Sequence, residues 1–239
     1  MARPPVKPTT KNSLPNSTDD INQFLDAVEN TPVTATSEQA GKLIFALDAT
    51  ASRQATWDEA SALQADMFTK TKGLSALKLQ LVYFRGHSEC RASPWLDNSA
   101  ALLRMMNKIS CIAGRTQIAR VLKHAIGEAR QQPVQAMVFV GDAMEENIDM
   151  LGELAGQLKI LGLPVFIFQE GHDPITSMAF KQIAQISGGA HCRFDQSSAH
   201  QLGQLLNAVA IYAAGGRDAL KRLSGQGSEQ ANMLLEQLG

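Results

Sequence analysis

Two carboxylates and three hydroxyls in this sequence are spaced so that a single small ion can bind them together. Asp48, Thr50 and Ser52 stand at alternate positions in Asp48-Ala49-Thr50-Ala51-Ser52, directly after the apolar run 43–47. Asp142 follows a second apolar run, 136–140, through Gly141. Between them, Gly114-Arg115-Thr116 opens a helical pattern, with Thr116 at its polar start. These five residues form an all-oxygen set, which suits a hard cation such as Mg²⁺, or equally Mn²⁺. Nothing in the set supplies the nitrogen or sulfur that Zn²⁺ favours. Hydroxyls are neutral, so two carboxylates leave such an ion electrophilic enough to accept a carboxylate from another molecule. That chemistry is recognition rather than turnover.

The surrounding pattern predicts how the chain places these residues on one edge. Short runs of Leu, Ile, Val and Phe at 43–47, 79–84, 136–140 and 165–168 read as strands buried on both faces. Residues 190–194 read as a last strand and 89–95 as a short antiparallel edge strand. Helical patterns lie between them at 57–69, 99–109, 116–130, 148–161, 176–186 and 199–214. In the third of these, Ile118, Val121, Leu122, Ala125 and Ile126 recur at the spacing of one buried face. Such alternation predicts an α/β fold, doubly wound, with a mostly parallel sheet and helices on both faces. In open sheets of this kind ligands bind beyond the carboxyl ends of the strands, where Asp48 and Asp142 fall.

D-x-[ST]-x-S after the first strand, a Thr after Gly and an apolar strand ending in Asp resemble the metal-ion-dependent adhesion site of von Willebrand factor A domains. The resemblance covers residues 42–214. It implies that Asp48, Thr50, Ser52, Thr116 and Asp142 hold the metal, and that an Asp or Glu of a partner protein completes it. The chain looks most like the compact intracellular bacterial members. Two departures stand out. Thr50 occupies a position where Ser is commoner, and Gly141-Asp142-Ala143 replaces the frequent Thr-Asp-Gly.

The domain is expected over 19–214, with its core starting near residue 42, behind a flexible tail at 1–18. A short helix is expected from Asp19 or Asp20, a connector at 32–39, and a C-terminal helical segment at 215–239. The 239 residues include 44% hydrophobic ones and carry a net charge of −1. That charge gives no basis for a nucleic-acid or anionic-membrane partner. No apolar stretch reaches the roughly 20 residues of a membrane span. Residues 1–20 lack the apolar segment of a secretory signal, and the three cysteines show no paired spacing, so a cytoplasmic location is expected.

Other features read more plainly. Glu145, Glu146 and Asp149 suit the first turn of the following helix, the other reading being that they shape the rim of the metal face and orient an acidic partner. Arg53 and Arg115 stand at the rim, solvated or steering a partner carboxylate. Trp57 and Trp95 are candidate anchors on the binding face. The five histidines show no ligand spacing. No P-loop, dinucleotide fingerprint or nucleophile elbow is present, so the chain is not expected to be an enzyme. Two other readings stay open: a metal-free scaffold with a decayed site, and a Mg²⁺-dependent hydrolase.

Overall fold

The computed structural model describes residues 41–54, 77–97, 99–194 and 199–238. The expected tail, first short helix, connector and the helix at 57–69, with Trp57, lie outside these residues. The apolar runs form the strands β1 (Gly41–Asp48), β2 (Leu77–Arg85), β4 (Ala136–Gly141), β5 (Val165–Glu170) and β6 (His191–Phe194), and β3 spans Glu89–Ala92. They make one six-stranded sheet in the order β3-β2-β1-β4-β5-β6. Every pairing is parallel except β2 with β3. The helices are α1 (Ser99–Met106), α2 (Ile118–Gln131), α3 (Ile148–Ile160), α4 (Pro174–Ser187), α5 (Ala199–Gly225) and α6 (Glu229–Leu238).

Alternation along the buried strands feeds two cores. From β1, Ile44 and Ala46 join the apolar faces of α2, α3 and α4 in one cluster, together with Met137, Phe139, Val165 and Ile167. Phe139 packs edge-on against Phe180 of α4 at 5.6 Å and lies nearly parallel to Phe84 at 6.2 Å. On the other sheet face, Phe166 meets Tyr212 of α5 edge-on at 5.3 Å. The sheet is therefore covered on both sides, and the one polar side chain buried within β2, Gln80, is paired with His124 at 2.9 Å.

Several element ends differ from the sequence expectation, each for a local reason. α4 starts at Pro174 because Asp173 caps it, accepting from the Thr176 N–H at 2.7 Å, and Pro suits the first turn. It stops at Gly188, whose φ of 81° suits glycine. The edge strand β3 ends at Ala92, after which Ser93 turns its hydroxyl back to accept from the Leu81 N–H. α5 runs past residue 214 to Gly225, with non-helical Gly216 (φ 67°) forming a kink. Beyond it, Leu220, Leu223, Ala231 and Leu234 are buried, and the Gln237 side chain bonds both the N–H (2.7 Å) and the carbonyl (3.0 Å) of His191 in β6.

Candidate metal centre

Asp48 ends β1, and the register of Leu47 with Val140 sets it beside Gly141, so Asp142 follows on the neighbouring strand end. The two backbones come close: a Cβ built on Gly141 lies 3.5 Å from the Asp48 Cβ and 2.9 Å from the Phe139 ring. Asp48 is fully buried. Its Oδ1 accepts from the Thr50 N–H at 2.8 Å, while its Oδ2 is buried with no hydrogen-bond partner. Asp142 Oδ1 is likewise buried and unpartnered. The Thr50 and Ser52 hydroxyls lie 3.0 Å apart, which keeps both oxygens on one side of the turn.

Thr116 reaches the same edge through its loop. Ala49 donates to the Phe84 carbonyl (2.9 Å) and accepts from the Ile112 N–H (3.1 Å), so the loop before α2 is fastened to the Asp48 turn. Gly114 packs so closely on Gly86 that a Cβ there would lie 1.9 Å from the Gly86 carbonyl oxygen, so only glycine fits. The Thr116 hydroxyl then accepts from the Glu145 N–H at 3.1 Å, and the Glu145 carboxylate accepts from the Thr116 N–H at 3.3 Å. This reciprocal pair ties Thr116 to the loop that carries Asp142. All five predicted ligand positions thus stand on one edge of the sheet.

The structure corrects four readings of the neighbouring residues. Glu145 and Glu146 do not serve the start of α3. Glu146 accepts from the backbone N–H groups of Ile118 and Ala119, so it caps α2, whose own N-cap residue, Gln117, makes no side-chain cap bond. Only Asp149 sits in the first turn of α3, whose cap is Asn147. Arg53 is not a rim residue; it is fully buried and ion-paired with Glu170 at the end of β5 (2.8 Å). Trp95 is half-buried at the opposite end of the sheet, where its Nε1–H donates to Glu128 at 2.8 Å. Thr116 precedes α2 rather than starting it. Sequence reasoning considered Glu145 and Glu146 as rim or helix-start residues and missed their bonds to the backbone at Thr116, Ile118 and Ala119. The one signal for them was their position just after a strand-end Asp. Ala143 in place of Gly is no obstacle, because no described non-glycine residue has positive φ.

Burial pushes the Asp48 carboxyl up to about 6, and the adjacent Asp142 charge adds to the rise; the Thr50 bonds and Arg53 oppose it. A pair of buried carboxylate oxygens without donors is costly unless a cation or a proton neutralises it. The residues therefore fit a divalent ion: two free anionic oxygens, with hydroxyls close by. Among the described residues no three His, Cys, Asp or Glu side chains gather to hold a metal, so the hydroxyls are essential to that fit.

No protein-family model matches the sequence, and no curated protein does. Solved structures share the fold. A von Willebrand factor type A protein from Catenulispora acidiphila superposes with a TM-score of 0.58 at 15% identity, over 74% of this chain and 43% of its own. Proximal thread matrix protein 1 from the mussel byssus, with a zinc-occupied metal-ion-dependent adhesion site motif, gives 0.59 at 15% identity, over 73% and 47%. The SpRpn10 von Willebrand factor A domain gives 0.53 at 11% identity, over 68% of this chain and 95% of its own. This chain spans less than half of the first two proteins' chains. At such identities the likeness establishes the fold alone, an α/β fold like that of von Willebrand factor A domains.

Proposed function

We propose that this chain is a divalent-cation-dependent protein-binding module. Asp48, Thr50, Ser52, Thr116 and Asp142 hold Mg²⁺ or Mn²⁺, and the bound ion supplies an open position for an Asp or Glu of a partner protein. The observation that carries this reading is the pair of buried, donor-less oxygens, Asp48 Oδ2 and Asp142 Oδ1, on adjacent strand ends. Thr50 and Ser52 flank the Asp48 carboxylate, and Glu145 with Glu146 fixes the loop that presents Thr116. The occupied adhesion-site motif in the mussel byssus protein supports divalent metal at this position of the fold. Neither a general base nor a nucleophile belongs to the proposed ligand set, so the reading assigns binding without turnover. A cytoplasmic setting and the compact bacterial type belong to the same proposal, in keeping with three cysteines that show no paired spacing.

The test is thermal melting of EDTA-treated protein with and without millimolar Mg²⁺ or Mn²⁺, beside Asp48→Ala. Ion at about 100 times its dissociation constant adds about 2.7 kcal/mol, or roughly 5 to 10 °C for a domain of this size. The parent is expected to shift and the variant to stay still. A parent that ignores both ions ends the metal reading and leaves the metal-free scaffold.

A further inference from the structure

Among the described residues, four large hydrophobic side chains are left exposed: Ile112, Ile160, Ile175 and Met178. Ile160 closes α3, at the end of the sheet away from the candidate metal centre. The other three lie on the same edge as that centre. Ile112 sits in the loop fastened to Ala49, and Ile175 with Met178 forms the outer face of the first turn of α4, which leaves the carboxyl end of β5. Scattered apolar residues need no explanation, but a pair three residues apart on one helix makes a continuous patch. Ile175 is 65% exposed and Met178 69%.

That patch is held rigidly. Between the two residues, Thr176 is buried and its N–H donates to the Asp173 carboxylate. The Ser177 hydroxyl donates to the Gln169 side-chain oxygen on β5 at 2.8 Å, and Gln169 Nε2 donates to the Asp173 carbonyl at 3.2 Å. With its inward residues pinned, the turn can only present Ile175 and Met178 outward. The strand beneath is joined to the Asp48 turn by the buried Arg53–Glu170 ion pair. Patch and metal centre therefore belong to one rigid frame, which lowers the ordering cost of any ligand that touches both.

We propose that Ile175 and Met178 form an apolar shelf that selects which carboxylate the metal centre accepts. The occupant is a partner protein segment carrying an Asp or Glu for the ion and a large apolar side chain for the shelf. This rests on the metal-dependent reading above. Charge favours such an occupant over a bilayer: exposed Asp173 and Glu145 on this edge repel the many anionic headgroups of a membrane face, whereas a peptide brings one acid that the ion can seat. An apolar contact beside the carboxylate also excludes water from it, the arrangement that strengthens polar contacts in interfaces.

The experiment uses random peptides displayed on phage, selected on the full chain in Mg²⁺ and eluted with EDTA. The eluted peptides are expected to share an Asp or Glu with Ile, Leu, Met or Phe at a fixed offset. The double variant Ile175→Gln, Met178→Gln should keep the parent's melting point and Mg²⁺ shift, yet return peptides with the acid alone. It should bind the parent's peptides at least about tenfold more weakly, a change of about 1.4 kcal/mol. Acid-only peptides from the parent, or an apolar preference that survives in the double variant, overturn the shelf while leaving the metal reading intact. A dimer that the double variant dissolves reassigns the patch to self-association. Failure of the metal reading looks different: neither a Mg²⁺ melting shift nor EDTA-eluted peptides, and the shelf falls with it.

Discussion

The two ends of the sheet treat their polar groups in opposite ways. At the amino end of β1, the Lys42 N–H donates to the Gln135 side chain and the Lys42 ammonium to Gln132; Gln132 and Trp95 both donate to Glu128 (3.1 and 2.8 Å), and His124 pairs with Gln80 at 2.9 Å. There each polar group named has a partner. At the carboxyl end, Asp48 and Asp142 each keep a buried oxygen with none. The same chain thus builds a satisfied polar network where it needs only stability and an unsatisfied one where a ligand can complete it. Unpaired buried oxygens are costly, so their concentration at one end points to function more strongly than polarity alone.

The largest expected effect that sharpens this contrast is on pH dependence. In EDTA the folded chain keeps a proton on Asp48 up to about 6, whereas the unfolded chain loses it near the model value of 3.8. Stability contributed by this group is present at low pH and falls by about 3 kcal/mol as pH rises through that window. His191, held down to about 4 by burial and by the charges of Arg193 and Lys181, works the other way over an overlapping range. Denaturant melts of the parent and Asp48→Asn, compared from pH 4 to 7, isolate the Asp48 part, and their difference should shrink in saturating Mg²⁺. Parallel curves would remove the claim that burial holds the Asp48 carboxyl above its ordinary value.

Removing a partner from the satisfied end should cost less and show no metal dependence. Glu128→Ala strands the Trp95 and Gln132 donors and is expected to destabilise by about 1 to 3 kcal/mol, with the Mg²⁺ shift unchanged. A Mg²⁺ shift altered by this change would couple the two ends. Glu145→Ala, which frees the Thr116 N–H, should weaken Mg²⁺ binding about tenfold by titration calorimetry, as loss of an outer support does at other metal sites. Thr50→Ser keeps the hydroxyl and removes one buried methyl, so it should cost no more than about 0.8 kcal/mol and leave the Mg²⁺ shift in place. A large loss there would mean that the Thr methyl, not the oxygen, is what the site uses.

The strands, and the sheet edge on which the five candidate residues fall, were legible because both depend on short-range pattern. A run such as Leu43-Ile44-Phe45-Ala46-Leu47 has no polar position to expose, so it must be covered on both faces, and the residue that ends it must stand at the sheet edge. Alternate spacing marks Asp48, Thr50 and Ser52 as a set, and the single 3-10 turn at Ala51–Arg53 brings the two hydroxyls together. What stayed hidden depends on contacts between distant segments. Glu146 looks like the start of its own helix, yet its carboxylate bonds the N–H groups of α2, because the two loops are brought together only by the sheet. Nothing near Arg53 announces Glu170, so a buried cation read as a solvated one. Trp95 read as an anchor for a partner, though the fold spends it on Glu128 at the far end.

The hold of Gln237 on His191 has a consequence for assembly. A strand at the margin of a sheet offers unpaired backbone groups to any passing extended chain, which invites edge-to-edge aggregation. At β6 the Gln237 amide, with one donor and one acceptor, takes the place of a neighbouring strand and occupies both groups of His191. The other margin, β3, is only four residues long and carries Glu89 and Arg91, charges that discourage a flat apolar partner. Sheet growth is thereby discouraged at both margins, so copies of this chain have little edge to add to one another.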